Sequence, residues 1–358
     1  MYGMGKKPTL RDVAEHANVA LSTVSQALNN KPGVAPDMRR RILAAATEVG
    51  YRPKVTLELP LSNDTKTIGL LTKRQNGDPL IVNPFYSYII AGAEHECARH
   101  QISLMYANIE VDKQNRALAF PAMLVDERVD GVIVVGAFLE ETLAHISTRA
   151  SQNVVLVDAY TSDGNEFDSV LIDNVNGAVK AVSHLIANGH RNIGLIGSQP
   201  GSYPSILERR QGYLTTLAQH GLEPFIEDGP LWRSDAYEAT HRLIARAPEI
   251  TAIFACNDEV AIGVLNALQE RGLRVPDDVS LIGFDNIDLV QEVTPALTTM
   301  HVDKVLMGVM AVRHLLDRAS DPSRTPLKTL VTTQLIERAS VRSIPVLRSD
   351  HRADGRRA

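Results

Sequence analysis

Residues 9–29 read TLRDVAEHANVALSTVSQALN and residues 34–53 read VAPDMRRRILAAATEVGYRP. Thr9, with Asp12 three positions on, is a near variant of the capping box that opens a helix. Leu10, Val13, Ala14 and Ala17 give that helix an apolar side. Asn18 tolerates the left-handed backbone that a sharp turn requires. A second helix follows from about Leu21 to Asn29, with Val24 and Leu28 on one side and Ser22, Gln26 and Asn29 on the other. Lys31-Pro32-Gly33 ends it, and Pro36 suits the first turn of a third helix. Met38, Ile42, Ala45, Ala46 and Val49 form the third helix's buried stripe, and Gly50 closes it. Helix, tight turn, helix, with a polar outward face on the second, is the helix-turn-helix layout. A three-helix protein-binding module shares that pattern. In a DNA reader, Gln26 has the two-pronged amide that pairs with adenine in the major groove, while Thr23 and Ser25 suit phosphates.

Charge separates the two readings. Residues 1–54 carry nine Lys or Arg against four Asp or Glu, a local charge of +5, whereas the whole chain is −5 and the remainder therefore −10. A basic head on an acidic body points to a polyanionic partner. The chain has 358 residues, 44% of them hydrophobic and 22% charged. At roughly 150 residues per domain it holds two or three domains, and disorder is excluded. No apolar run approaches the ~18 residues that cross a bilayer. Met1–Pro8 is polar and glycine-rich, so no export signal is read and a cytoplasmic location is expected. Cys97 and Cys256 lack metal-ligand spacing, so no disulfide framework, zinc site or other cofactor is expected.

Beyond a joint at 54–66 the chain settles into a βαβ rhythm. Apolar runs at Ile68–Thr72, Ile102–Ala107, Gly131–Val135, Val154–Val157, Ile193–Gly197, Thr251–Ala255 and Val279–Phe284 read as strands. Helical periodicity is read around 87–100, 112–126, 139–150, 174–188, 205–220, 235–246 and 257–271. Such alternation implies parallel sheets covered on both faces. Its length divides most economically into two α/β lobes, with ligands at the carboxyl ends of the strands, in the cleft between them. The expected architecture is thus an all-α helix-turn-helix headpiece (8–53), a hinge or linker (54–66) and a two-lobed α/β body (67–342). The first lobe takes about 67–165 plus 296–325, and the second about 166–293 plus 326–342. Residues 343–358 are expected to be a disordered tail.

Thr9–Val19, Thr23-Val24-Ser25, Asn29 and Val34–Pro53 resemble the headpiece of the LacI–GalR family of transcriptional repressors. The likeness continues through Asp130–Ile133, Gly189–Gly197, Asn257-Asp258, Val275–Asp285 and Thr294–Thr299, and covers almost everything from Thr9 to about Val341. It implies a periplasmic-binding-protein-like body that serves effector binding and dimerisation, and a homodimer on a near-palindromic operator, with Leu21, Ser22 and Gln26 reading bases. Thr9, Thr23, Ser25 and Asn29 complete the expected DNA contacts. Gln26 stands where relatives often carry arginine, and Ala20 replaces their hydroxyl residue before the reading helix. In the joint, Pro60 occupies the place of the family's minor-groove leucine. The joint reads as an extended linker, with Leu57 and Leu61 as a substitute wedge if its first turns coil.

The resemblance also implies effector contacts from Phe85, Tyr86, Asp158, Ser205, Arg209, Trp232, Asn257 and Asp285. Carboxylate, guanidinium and an aromatic face suit a sugar. A purine or other non-sugar co-repressor is the alternative, since Phe85 and Tyr86 serve a purine equally. Two rivals are set aside. An enzyme would need a phosphate loop or catalytic constellation, but no Gly-Lys-Ser/Thr follows Gly194, Gly197 and Gly201. A small-molecule-binding protein without a DNA role would not need the basic head.

Overall fold

The computed structural model describes residues 8–28, 34–49, 65–75, 84–150, 153–161 and 167–345. Residues 54–64 of the joint, with Leu57, Pro60 and Leu61, lie outside the described residues, as do Asn29 and the tail from 346.

In the head, α1 (Leu10–Ala17), α2 (Leu21–Leu28) and α3 (Pro36–Glu48) surround a small core of Val13, Ala14, Ala17, Val24, Ala27, Ile42, Ala45 and Ala46. The capping box forms in full: Thr9 Oγ1 accepts from the Asp12 N–H, and Asp12 accepts from the Thr9 N–H at 2.6 Å. Asn18 takes the left-handed conformation at φ 51°, and its N–H reaches the carbonyls of Ala14 and Glu15.

The body runs β1 (Thr67–Gln75), α4 (Pro84–Arg99), β2 (Ser103–Val111), α5 (Ala122–Val125), β3 (Gly131–Val135), α6 (Glu140–Arg149), β4 (Val154–Val157) and β5 (Asp168–Ile172). It continues through α7 (Asn174–Ala187), β6 (Ile193–Ser198), α8 (Pro204–Gln219), β7 (Phe225–Asp228), α9 (Arg233–Arg246), β8 (Ala252–Ala255), α10 (Asp258–Glu270), β9 (Ser280–Asp285), α11 (Leu289–Glu292) and β10 (Thr298–His301). Last come α12 (Lys304–Ser320), β11 (Lys328–Val331) and β12 (Gln334–Ile336). The strands form two six-stranded sheets, ordered β11-β5-β4-β3-β1-β2 and β12-β10-β9-β8-β6-β7. Every pairing is parallel except that of β12 with β10. β3, β4, β5, β8 and β9 are buried at every position, as strands covered by helices on both faces must be.

The structure corrects the sequence reading in three places. Lobe boundaries near 165, 296 and 325 fall too early. β5 and β11 pair within the first sheet and β10 within the second. The chain therefore crosses at Asp173, at Val302-Asp303 and at Thr332-Thr333, because it cannot leave a sheet before its last strand there is paired. The helix expected over 112–126 is confined to α5. Asp112 Oδ1 accepts the N–H groups of Gln114 and Arg116, both at 2.9 Å. This local turn outcompetes helix, and Val111 bridges back to Ala117. Finally, the strand expected to end at Thr72 runs on, and Lys73–Gln75 continue β1 alongside β2.

Candidate DNA-reading head and effector cleft

On α2 the exposed residues are Leu21, Ser22 and Gln26, with Thr23 and Ser25 half-buried against the other helices. Thr9 is exposed at the start of α1. The helix carries no charged side chain, so its outward face offers one amide, one hydroxyl and one alkyl group, 47% exposed at Leu21. Two arginines of the basic head serve its own frame. Arg39 Nη1 donates to the Ala27 carbonyl at 3.0 Å and Arg41 Nη2 to the Ala17 carbonyl at 3.2 Å, satisfying the open ends of α2 and α1. Sequence reasoning counted these arginines only as charge.

In the body, Arg209 and Asp285 meet. Arg209 is 4% exposed on α8, and its Nη2 lies 3.0 Å from Asp285 Oδ1. Its Nε donates to Asn174 Oδ1 at 2.9 Å and its Nη1 to the Cys256 carbonyl at 2.7 Å, while the guanidinium lies 3.8 Å from the Phe284 ring centre. The neighbouring Arg210 instead pairs with Asp228. Burial pushes the Asp285 carboxyl above its ordinary value, against the pull of Arg209 and Lys304.

Asp158 ends β4 in the first lobe. Burial raises its carboxyl to about 7, with Arg209 and Lys73 pulling down and Asp285 and Glu208 pushing up. Asp158 and Asp285 both sit at positive φ, 50° and 107°, a conformation that short polar side chains tolerate and that strand ends at binding sites often adopt. Tyr86 on α4 faces the same group: burial, then Asp158, Tyr203 and Asp285, hold its phenol well above the usual tyrosine range. Phe85 packs edge-on to it, with ring centres 5.6 Å apart. Gly136, at φ 87°, leaves room for the phenol, since a Cβ there would stand 2.9 Å from the Tyr86 hydroxyl. Ser205 is buried one turn before Arg209.

Two further candidate residues stand at helix starts. Asn257 Oδ1 accepts the Val260 N–H at 2.8 Å and so caps α10. Trp232 is 60% exposed at the start of α9 and lines a surface depression with Arg233, Ser234, Tyr237, Glu259 and Asn266. The depression shares no lining residue with the Arg209 group. Several cleft residues escaped the sequence reading. Lys73 at the end of β1 donates to the Tyr203 hydroxyl across the lobes at 2.9 Å. The Tyr160 hydroxyl donates to Glu208 at 2.9 Å, and Tyr88 on α4 to Asp288. Lys73 was the visible signal, the first cation after an apolar run.

Comparison with known proteins places both halves. The head, residues 9–54, matches the model of bacterial regulatory proteins of the lacI family, and residues 182–341 match the periplasmic binding protein-like domain. An HTH-type transcriptional repressor PurR of Photobacterium profundum is 31% identical over 341 residues, covering 94% of this chain and 99% of the relative. Among solved structures, the transcriptional regulator CelR–cellobiose complex is 26% identical with a TM-score of 0.67, covering 93% of this chain and all of that one. A LacI family transcriptional regulator from Enterococcus faecium with bound ribose is 25% identical with a TM-score of 0.66, covering 78% of this chain and all of that one. A full-length match of that identity, the helix-turn-helix head and the two-sheet body agree: the chain belongs to the LacI family, and it is an effector-controlled, DNA-binding transcriptional repressor rather than an enzyme.

Proposed function

We propose that the effector is a carbohydrate bound between the lobes by Tyr86, Asp158, Ser205, Arg209 and Asp285, with Phe85 behind the wall. The observation that carries this reading is the buried Arg209–Asp285 pair with Asp158 opposite. A paired carboxylate and guanidinium accept from and donate to neighbouring hydroxyls, and Tyr86 offers a ring face to C–H surface. The CelR and E. faecium relatives, with cellobiose and ribose bound, support a sugar. A purine is the second reading, favoured by the edge-on Phe85–Tyr86 pair, which offers an aromatic wall to a flat ring. The repressor acts in the cytoplasm as a homodimer whose two heads hold a near-palindromic operator, and occupancy of the cleft resets their spacing.

Selection of duplexes from a random pool, followed by anisotropy titration of the enriched operator with and without cellobiose, ribose and hypoxanthine, tests the reading. Enrichment of a two-fold symmetric site, with affinity moved by one of these compounds, is expected. Failure to enrich any site overturns the DNA assignment of α2. Gln26→Ala is expected to weaken the enriched site by roughly 5- to 100-fold, the worth of a bidentate base contact, and to relax preference at one base pair per half-site.

A further inference from the structure

The donors and acceptors of the cleft are unequally engaged. An ammonium group has three N–H bonds. Those of Lys73 go to Asn115 Oδ1 at 3.2 Å, the Ala137 carbonyl at 2.7 Å and the Tyr203 hydroxyl at 2.9 Å. Those of Lys304 go to the carbonyls of Asp285 at 2.6 Å, Asn286 at 3.1 Å and Val302 at 3.3 Å. Arg209 holds Asn174, the Cys256 carbonyl and Asp285, and Asp285 balances its charge. These three cations are therefore occupied within the protein. Asp158 is the opposite case: its Oδ1 is buried with neither a hydrogen-bond partner nor an ion pair among the described residues, whereas Asp285 Oδ1, also without a hydrogen bond, has the ion pair with Arg209. It is faced by Lys73 from β1, Tyr86 from α4, Glu208 and Arg209 from α8, Asp285 from β9 and Tyr160 from its own segment.

We propose that the effector is rich in hydrogen-bond donors, carries no phosphate or carboxylate, and places a donor on Asp158. The inference rests on the reading of this cleft as the effector site. An anion entering here meets Asp158, Glu208 and Asp285 and, among the described residues, no unengaged ammonium. Receiving it on Lys73 breaks the bond to Tyr203 that joins the lobes. A hydroxyl or a protonated amine instead supplies what Asp158 lacks, and the remaining N–H bonds of Arg209 serve neutral acceptors. Burial holds the free Asp158 carboxyl near 7. A ligand that donates to its ionised form therefore expels a proton, and binding tightens as the pH rises from about 6 to about 8.

The test uses the full chain, with thermal unfolding as the screen and calorimetry and operator anisotropy on each hit. The probes are matched sets: glucose, glucosamine, glucose 6-phosphate and gluconate; ribose and ribose 5-phosphate; cellobiose; hypoxanthine and inosine monophosphate. A neutral or amine compound is expected to bind and shift operator affinity, with its phosphorylated or acidic counterpart at least about a hundredfold weaker, as an uncompensated buried charge requires. Glucosamine above glucose identifies an amine as the donor, and the reverse identifies a polyol. Asp158→Asn is expected to weaken the hit roughly tenfold or more and to abolish its proton release. An anionic member that binds as well as its parent overturns this inference and leaves the effector reading standing. A flat response from the whole panel, with operator still bound, removes both.

Discussion

Asp158 illustrates how a buried carboxyl weakens the fold that holds it. Its carboxyl sits near 7 in the folded chain and near 3.9 when unfolded. Between those values the folded state binds the proton more tightly, so stability falls as the pH rises from about 4 to about 7 and the loss is complete above that. Asp158→Asn removes the charge without changing the shape. The variant is expected to unfold several degrees above the parent at pH 8, at about 2–4 °C per kcal/mol, with the gain vanishing near pH 4. Asp258, raised by burial to about 8, is present in both proteins and cancels in the comparison. Equal melting temperatures at pH 8 would show that Asp158 is compensated by groups other than those facing it here. Asp158 and Asp285 were legible in the sequence because each directly ends an apolar run. Lys304 was not, since its role depends on three carbonyls brought to it by the turn of β9 and the crossing after β10.

At the scale of elements, α4 and α12 approach so closely that glycine is required on both. A Cβ at Gly92 would stand 2.1 Å from the Val305 carbonyl oxygen, and one at Gly308 2.0 Å from that of Ile89. Neither obstacle is a side chain that can turn away. Gly308→Val is therefore expected to cost at least about 3 kcal/mol, the upper end for overpacking. It should appear as insoluble protein or a melting temperature lowered by at least about 6–12 °C. Gly201→Ala, with nothing within 4 Å, should match the parent. The head's elements were readable because caps, turns and stripes are local signals. The short strands β11 and β12, with mixed exposure, were not: an edge strand of three or four residues is defined by its partner rather than its own pattern. The same holds for the stretch after β2, where Asp112's bonds to two backbone N–H groups overrode a helix-like spacing.

At the scale of the body, two bonds clasp the lobes on either side of the cleft group, Lys73 with Tyr203 and Tyr88 with Asp288. Both link the first lobe to the second, so any opening of the lobes would break them. Tyr88→Phe is expected to weaken effector binding about 3- to 10-fold, the net worth of one such hydrogen bond, mainly through faster dissociation measured by stopped flow. Lys73→Met should act in the same direction, and the double variant should equal the product of the two if the clasps are independent. Unchanged dissociation in both single variants would show that closure does not depend on them. Neither clasp was visible in the sequence, because each joins residues whose meeting depends on the relative placement of two sheets.

The three crossings between the sheets have a mechanical consequence. A single tether would let one lobe swivel and twist freely, so a ligand's binding energy would be dispersed over many orientations. Asp173, Val302-Asp303 and Thr332-Thr333 fasten the lobes at three separate points along the chain. Three short fastenings suppress twisting and sliding more than one would and leave bending as the compliant movement. The body thereby works as a door on three hinges: whatever small molecule closes it, the lobes travel along the same arc.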